Sequence, residues 1–393
     1  MEEVVIVSSV RTPIGKFGGS LKNVTARELG TYTVKEAIKR ANIQTDDVNG
    51  MVFGNVLQAG NGQNVARQIA IDSGIPYEVP AMTINEVCGS GLKSVILGRQ
   101  QIQLNEADVV VVGGTESMSN APHLLNNYRW EKTLQEDTLV DTMINDGLTD
   151  AFSQKHMGIT AENVAAKHNI SRAEQDDFAL ASQQKASKAV NAGRFDDETV
   201  PVQTTNDEGE RITFERDEYV RHNVTLPDLE KLKTPFKKDG TVTAGNASGI
   251  NDGAAALVLM KKSLAEEKNI PILAKISEYA EAGMDPDYMG YTPYYSTKKL
   301  VEKSKVSLDD VDLVELNEAF AAQSIPVVRD LGLDPDKVNV NGGAIALGHP
   351  IGASGARILV TLLHELEKRD DKRGIASLCV GGGIGISMLV ERI

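Results

Sequence analysis

A weak internal repeat limits the possible folds of this chain more than any other feature of its sequence. A small residue and Ser-Gly lead into an apolar helical segment twice, at residues 88–91 and 352–355. About twenty residues later, each segment is followed by a short apolar run that ends in two glycines, at residues 111–114 and 379–382. We therefore predict two similar α/β halves. The small residues at both helix starts indicate that the two helices approach each other closely.

Strands and helices alternate along the chain, which indicates the α/β class with a largely buried sheet. Residues 107–112 form a continuous valine-rich run, as expected for a strand that is buried on both faces. The other predicted strands are the start of the chain and residues 51–57, 254–260, 312–316, 338–340, 375–380 and 384–390. The predicted helices are residues 26–41, 91–105, 160–168, 173–192 and 353–369.

The middle of the chain differs from both halves. It holds the only tryptophan, Trp130, together with mixed charge and few patterns of buried strands. A turn-rich stretch at residues 243–251 then leads into the next apolar strand. We predict a first half made of residues 1–118 and 250–270, an inserted loop domain at residues 119–249, and a second half at residues 271–393.

The charge and the cysteine content restrict the possible partners and compartment. The 393 residues carry a formal net charge of -14, which argues against a nucleic-acid surface but allows a local cation cluster to bind an anionic ligand. The sequence shows no apolar run of membrane-spanning length and no targeting presequence, so we expect a cytoplasmic protein without membrane contact. Two cysteines are few, and we expect free thiols rather than a disulfide.

The first cysteine stands immediately before a predicted helix. Cys88 lies in NEVCGSG, residues 85–91. Unpaired N–H groups at a helix start stabilise a thiolate and lower its pKa, and they can also bind the oxygen of an acyl group on the sulfur. An inert buried cysteine is the alternative interpretation, and the motif alone does not decide between the two.

Two further motifs carry reactive side chains among glycines. His349 lies in GGAIALGHPIGASGAR, residues 342–357, where it is either a structural loop histidine or a base that deprotonates a thiol. Cys379 ends a predicted strand in CVGGGIG, residues 379–385, and α/β sites usually lie at such strand ends. The glycines there do not form a dinucleotide fingerprint, because the required third glycine is missing.

A fourth motif, NEAFA at residues 317–321, places an asparagine between a predicted strand and a helix. Asn317 either orients a water or an oxyanion, or it simply caps the helix. By itself the motif does not separate these roles.

Taken together, the four motifs resemble the thiolases in order and approximate spacing, and the likeness extends from VRTPIGKFGG at residues 10–19 to the final strand. The run His-Met-Gly at residues 156–158 is similar to the biosynthetic branch, which condenses two acetyl-CoA molecules to acetoacetyl-CoA and CoA. The resemblance implies a thiolase-like fold. Such a fold has duplicated α/β/α halves in a five-layer α-β-α-β-α arrangement, with an inserted loop domain.

The resemblance also implies roles for individual residues in a reversible ping-pong reaction. Cys88 would carry the acetyl group, His349 would activate it, and Cys379 would remove the α-proton of the second acetyl-CoA. Asn317 would fix a water at the enolate oxygen. The N–H groups of Cys88 and Gly381 would bind the oxygen of the acetyl-enzyme.

Contacts to the substrate are implied in the same way. No metal and no permanently bound cofactor are expected, because coenzyme A and acetyl-CoA act as substrates. The resemblance further implies a homotetramer, with residues 119–140 matching the assembly loop. The implied substrate and CoA contacts are Arg221, Ser248, His156, Met157, Leu148, Phe236, Ala244, Met289, Ala319 and Phe320.

Alternative functions remain open from the sequence. A degradative 3-ketoacyl-CoA thiolase of broader chain length is the nearest, because Ile384 and the tyrosines at 291, 294 and 295 depart from the family pattern near the pocket. A ketoacyl synthase or a cysteine hydrolase would not need Cys379. A non-catalytic CoA or lipid carrier would normally have lost one of the three reactive residues.

Overall fold

The computed structural model describes residues 2–126, 128–129 and 138–393, so Trp130 lies outside the described residues. The strands in these residues are β1 (Val4–Arg11), β2 (Gly15–Lys16), β3 (Gly50–Gly54), β4 (Ala81–Ile84), β5 (Val109–Ser117), β6 (His123–Leu125), β7 (Leu139–Asp141), β8 (Val202–Thr205), β9 (Arg211–Phe214), β10 (Asn251–Lys261), β11 (Ala274–Gly283), β12 (Leu313–Leu316), β13 (Arg373–Val380) and β14 (Ile384–Glu391).

The α-helices in the same described residues are α1 (Ala26–Arg40), α2 (Val65–Asp72), α3 (Ser90–Gln103), α4 (Met157–His168), α5 (Arg172–Asn191), α6 (Leu226–Glu230), α7 (Lys262–Glu267), α8 (Thr292–Ser304), α9 (Ala321–Leu331), α10 (Ala344–Leu347) and α11 (Ile351–Arg369). Most predicted helix boundaries agree within a few residues, because apolar periodicity marks them clearly.

The sheet shows the duplication that the internal repeat predicted. Its strands follow the order β4-β3-β5-β10-β1 in the first half and β12-β13-β14-β11 in the second. In each half, parallel pairs (β3 with β5, β12 with β13) are followed by antiparallel ones. The halves join through a two-residue pairing of β1 with β11. Each half is therefore built on the same strand plan.

Five layers result from the positions of the helices. Helices α3 and α11 lie in the centre and contact strands of both halves, while α1 and α2 cover the outer face of the first half and α8 covers that of the second. Every residue from Ile351 to Leu363 in α11 is buried, as expected for a helix enclosed on all sides. The predicted five-layer α/β arrangement is confirmed; the division into three segments stays a prediction.

One predicted strand is wrong and another is too long. Residues 338–340 form only an isolated parallel bridge from Val338 to Val314, because Asn339 has a φ of 45° and its side chain bonds both backbone groups of Leu316 at 2.8 Å. The strand predicted at residues 51–57 ends at Gly54, because the backbone N–H groups of Val56 and Leu57 bond to the buried carboxylate of Glu116 instead of a neighbouring strand.

The close approach of α3 and α11 depends on glycine. A Cβ added at Gly91 would lie 2.6 Å from the backbone nitrogen of Ala356, and one at Gly355 would lie 2.5 Å from that of Leu92. Backbone atoms at this distance cannot move aside without separating the helices.

We expect Gly91→Val to lower the free energy of unfolding by about 3 kcal/mol, because the helices must separate and expose core surface. Denaturant unfolding followed by circular dichroism would measure the loss. Ala181→Val, at an exposed position of α5, is the matched control and should cost well under about 1 kcal/mol. Equal costs at both positions would contradict the packing explanation.

Candidate active site

Most of the predicted site residues surround one cavity of about 540 Å³. Both halves and the inserted segment contribute to its wall, which is largely apolar. The predicted residues on this wall are Cys88, Leu148, His156, Met157, Phe236, Ala244, Ser248, Met289, Ala319, Phe320, His349, Cys379 and Gly381. Asn317 and Arg221 do not lie on it. The fold thus brings both cysteines and His349 to one enclosed space.

The residue before Cys88 holds the backbone in an unusual conformation. Val87 has a φ of 45°, which is rare and costly for a β-branched residue. Its N–H bonds to the side chain of Asn85 at 2.9 Å, and its carbonyl accepts from the hydroxyl of Ser90 at 2.7 Å. These bonds hold a sharp turn from β4 into α3 and place the Cys88 sulfur on the cavity wall.

Burial dominates the ionisation of Cys88. It raises the pKa of the thiol from 9.0 to about 11, although the backbone N–H groups of Gly381 and of Cys88 itself donate to the sulfur and oppose the shift. The net direction is opposite to the lowered pKa predicted from the helix start. Desolvation of a thiolate outweighs two N–H donors here, so the resting nucleophile is a thiol.

Alkylation of Cys88 should follow this raised pKa. Because only the thiolate reacts, we expect the rate with iodoacetamide to rise roughly tenfold per pH unit from about pH 7 to about pH 10 in ligand-free protein. Mass spectrometry of a variant with both Cys379→Ala and His349→Asn, in which Cys88 is the remaining cysteine and no histidine base assists it, would give the rate. A plateau near pH 8 would mean that the N–H donors outweigh burial.

The ring of His349 is fixed in one tautomer. Its Nδ1 lies 2.6 Å from the hydroxyl oxygen of Ser354, and that hydroxyl donates its one proton to the carbonyl of Pro350 at 2.9 Å. The hydroxyl oxygen must therefore accept from Nδ1–H. The Nε2 atom keeps its lone pair and has no hydrogen-bond partner among the described residues.

His349 is also held neutral. Burial, together with the smaller effect of the Arg357 charge, lowers the pKa of its imidazole from 6.5 to about 3. Above that value the imidazole is uncharged and Nε2 is a free base. The backbone N–H of His349 donates to the side-chain amide oxygen of Asn251 at 3.0 Å, so the loop that carries His349 is tied to β10.

Cys379 lies near the end of β13 and lines the same cavity as Cys88. Its side chain is fully buried, and burial together with the nearby Cys88 sulfur raises the pKa of its thiol well above the usual value. Both cysteines are free thiols. Two protonated sulfurs and one neutral imidazole therefore meet at the same wall.

Asn317 lies behind the wall, fully buried at the end of β12. Neither its amide nitrogen nor its amide oxygen has a hydrogen-bond partner among the described residues. An unpaired buried amide is costly, which is why such groups normally bond to a water or a ligand. The role of Asn317 in binding a water stays a prediction, and its unpaired amide is compatible with it.

The chain matches two family descriptions. Residues 4–263 match "Thiolase, N-terminal domain" and residues 270–392 match "Thiolase, C-terminal domain".

The chain belongs to the thiolase family.

Relatives and solved structures agree with this assignment. An acetyl-CoA acetyltransferase of Cupriavidus necator is 53% identical over 392 residues and covers 100% of both chains. The acetyl-CoA acetyltransferase of Pseudomonas aeruginosa is 52% identical over 392 residues and also covers 100% of both chains. The crystal structure of the Bacillus anthracis acetyl-CoA acetyltransferase superposes with a TM-score of 0.98 at 46% identity, covering 100% of this chain and 99% of that one. Human mitochondrial 3-ketoacyl-CoA thiolase gives a TM-score of 0.97 at 45% identity, covering 100% of this chain and 99% of that one. The predicted family, thiolase fold and acyltransferase class are confirmed.

Sequence reasoning missed one buried carboxylate of this thiolase. Glu116 accepts from the backbone N–H groups of Val56, Leu57 and Gly352 at 2.9 to 3.1 Å, and desolvation raises its pKa to about 7. It ties the start of α11 to the first half beside the two reactive loops. Glutamate at 116 follows no recognisable motif, so only its position in space reveals this function.

The inserted segment supplies the outer wall. The rings of His156 and Phe236 stack with their centres 4.7 Å apart, and the Nδ1 of His156 accepts from the N–H of Gly158 at the start of α4. A Cβ at Gly158 would lie 2.3 Å from the Phe236 ring. The stacked pair is therefore packed firmly and narrows the cavity next to Met157.

The predicted CoA contacts differ in their placement. Ser248 lies on the wall and donates its backbone N–H to Ala319 at 2.9 Å. Arg221 is exposed and away from the wall, with its guanidinium 5.7 Å from the ring centre of the wall residue Tyr219. The predicted role of Arg221 in binding CoA stays a prediction.

The described residues hold neither a candidate metal cluster nor a helix that could cross a membrane. In residues 2–126, 128–129 and 138–393, no three His, Cys, Asp or Glu side chains converge in a way that would hold a metal ion. Across those ranges, no helix is both long and apolar enough to cross a membrane.

Proposed function

We propose that this thiolase is an acetyl-CoA C-acetyltransferase that condenses two molecules of acetyl-CoA to acetoacetyl-CoA and CoA, and that catalyses thiolysis in reverse. The observation that carries the proposal is the shared cavity wall of Cys88, Cys379 and the unpartnered Nε2 of His349. The acetyl-CoA acetyltransferases at about 52% identity support the choice of substrate.

In the first half of the reaction, the Cys88 sulfur attacks the thioester carbonyl of acetyl-CoA. His349 Nε2 takes the thiol proton as the bond forms and delivers it to the departing CoA sulfur. The N–H groups of Cys88 and Gly381, which already point at the sulfur, bind the oxygen that becomes negative. The products are acetyl-Cys88 and free CoA.

In the second half, Cys379 acts as the base. The Cys379 thiol first passes its proton to His349 Nε2, which is free again once CoA has left. The resulting Cys379 thiolate removes an α-proton from a second acetyl-CoA, and the carbanion attacks the acetyl group on Cys88. The carbon–carbon bond forms as the bond to the Cys88 sulfur breaks, and the His349 imidazolium returns its proton to that sulfur. Asn317, through a water, and His349 stabilise the enolate oxygen. In thiolysis the same groups act with their proton roles exchanged.

The outer wall favours a short acyl group. We propose that the stacked His156 and Phe236 rings, next to Met157, restrict the acyl part of the cavity to short chains. A degradative thiolase of broader chain length is the alternative, and human mitochondrial 3-ketoacyl-CoA thiolase is a solved structure with a similar fold. Chain length is therefore the first property to measure.

We also propose a homotetramer in a reducing compartment, the cytoplasm, that uses CoA and acetyl-CoA as substrates and retains no cofactor. Exposed leucines on the β6–β7 hairpin, Leu124 and Leu139, support an assembly contact there. The two free thiols support the compartment, because a reactive cysteine pair needs reducing conditions.

Cleavage of acetoacetyl-CoA by CoA tests the activity directly. We expect wild-type protein to cleave it at least about a hundredfold faster than 3-ketohexadecanoyl-CoA, since a site too narrow for the longer chain rejects it sterically. Mass spectrometry after incubation with acetyl-CoA alone should find one acetyl group on Cys88 and none in Cys88→Ala. Equal cleavage of both substrates favours the broader thiolase, and release of carbon dioxide from malonyl-CoA favours a decarboxylating synthase.

A further inference from the structure

Cys379 has a hydrogen-bond partner, Gln323, that belongs to none of the four motifs. Its sulfur lies 3.1 Å from the amide oxygen of Gln323, and both side chains are completely buried. Gln323 lies in the first turn of α9, directly after the NEAFA motif, and its amide is absent from the cavity wall. Gln323 therefore contacts Cys379, the proposed base, from outside the cavity wall.

The orientation of the Gln323 amide follows from its neighbours. The hydroxyl of Ser324 donates its one proton to the carbonyl of Phe320 at 3.1 Å, so its oxygen must accept from the Gln323 amide nitrogen, at 2.9 Å. With the nitrogen committed there, the amide oxygen is left facing the sulfur. A series of three hydrogen bonds thus runs from a backbone carbonyl to the thiol proton of Cys379.

Packing keeps Gln323 in this rotamer. A Cβ placed on Gly290 would lie 2.7 Å from the Gln323 Cβ, so the segment before α8 packs closely against the Cβ of Gln323. An amide flip would break the bond to Ser324 and turn an N–H donor toward an S–H donor. The acceptor oxygen is therefore fixed in space before any substrate binds.

From this geometry, and resting on the proposed function above, we infer that Gln323 is a positioning residue for the carbon–carbon step. Its amide oxygen accepts from the Cys379 thiol and fixes the Cys379 side chain, so that the sulfur stays at the cavity wall where, once ionised, it takes the α-proton of the second acetyl-CoA. The acetylation of Cys88 does not use this sulfur. Loss of Gln323 should impair one half of the reaction and leave the other intact.

Gln323→Met tests this directly, because methionine keeps the length and removes the acceptor. We expect kcat for acetoacetyl-CoA thiolysis to fall about thirtyfold at an unchanged KM, the size of loss that misplacing a reacting group causes. Exchange of the methyl protons of acetyl-CoA with solvent deuterium should fall equally. Exchange of labelled CoA into acetyl-CoA, which requires only Cys88 and His349, should stay within about threefold of wild type.

Two companion variants keep the test decisive. Ser324→Ala removes only the bond that orients the amide and should lower the same two readouts by a smaller factor, about fivefold. Gln175→Met is the matched control: Gln175 is equally buried, bonds Thr241 at 2.9 Å and touches no cysteine. It should leave the ratio of the two exchange rates unchanged.

The outcomes separate this inference from the proposed function. If wild type shows neither exchange reaction, the proposed function fails and the inference fails with it. If wild type shows both, the inference is overturned when Gln323→Met either matches wild type or slows both exchanges equally, since the latter indicates a general structural role. A selective loss of proton exchange supports it.

Discussion

Cys379→Ala should lower the rate of acetoacetyl-CoA formation and cleavage by at least about a thousandfold, the contribution expected of a positioned acid–base group. The reason is that no other described thiol lies on the cavity wall once Cys88 carries the acetyl group. The same variant should still acetylate Cys88, because His349 Nε2 serves that step. Steady-state cleavage assays would measure the first effect, and exchange of labelled CoA the second.

The contrast between the two cysteines is the control for this prediction. Cys88→Ala should lose both the exchange of CoA and the cleavage, whereas Cys379→Ala should lose cleavage alone. A Cys379→Ala protein that still cleaves acetoacetyl-CoA at more than about a tenth of the wild-type rate would remove Cys379 from the mechanism. The chain would then resemble an enzyme with one reactive cysteine.

His349→Asn should slow acetylation of Cys88 by about a thousandfold near neutral pH. With a pKa of about 11, roughly one Cys88 thiol in ten thousand is ionised at pH 7, so the thiol depends on a base. The buried imidazole has a pKa of about 3 and stays neutral well below neutral pH, so wild-type acetylation should change little between about pH 6 and pH 9. Rapid-quench measurement of acetyl-Cys88 would give both rates.

The pH profile of the variant distinguishes a missing base from a damaged site. Without His349, acetylation should rise roughly tenfold per pH unit toward the Cys88 pKa, because hydroxide then supplies the thiolate. Ser354→Ala is the milder companion, since it releases only the tautomer-fixing bond to Nδ1. A flat, uniformly low profile in His349→Asn would indicate that the histidine has a structural role.

Local sequence patterns predicted most of the fold. The repeated Ser-Gly turns predicted the two halves and the touching helices, and those helices do meet at Gly91 and Gly355. Residues 338–340 do not form the predicted strand, because the side chain of Asn339 takes the place of backbone hydrogen bonds to Leu316 in the neighbouring strand. Apolar periodicity carries no information about such long-range competition.

The sequence by itself determined the family and the duplicated fold, and it predicted the reactive residues, because motifs of glycine, cysteine and histidine are recognisable in the sequence alone. Only the tertiary structure decided how those residues ionise and orient. The raised pKa of Cys88, the free Nε2 of His349 and the acceptor behind Cys379 all depend on groups distant in the chain. Burial and hydrogen bonding sum over neighbours in space, and those neighbours exist only once the two halves have packed together.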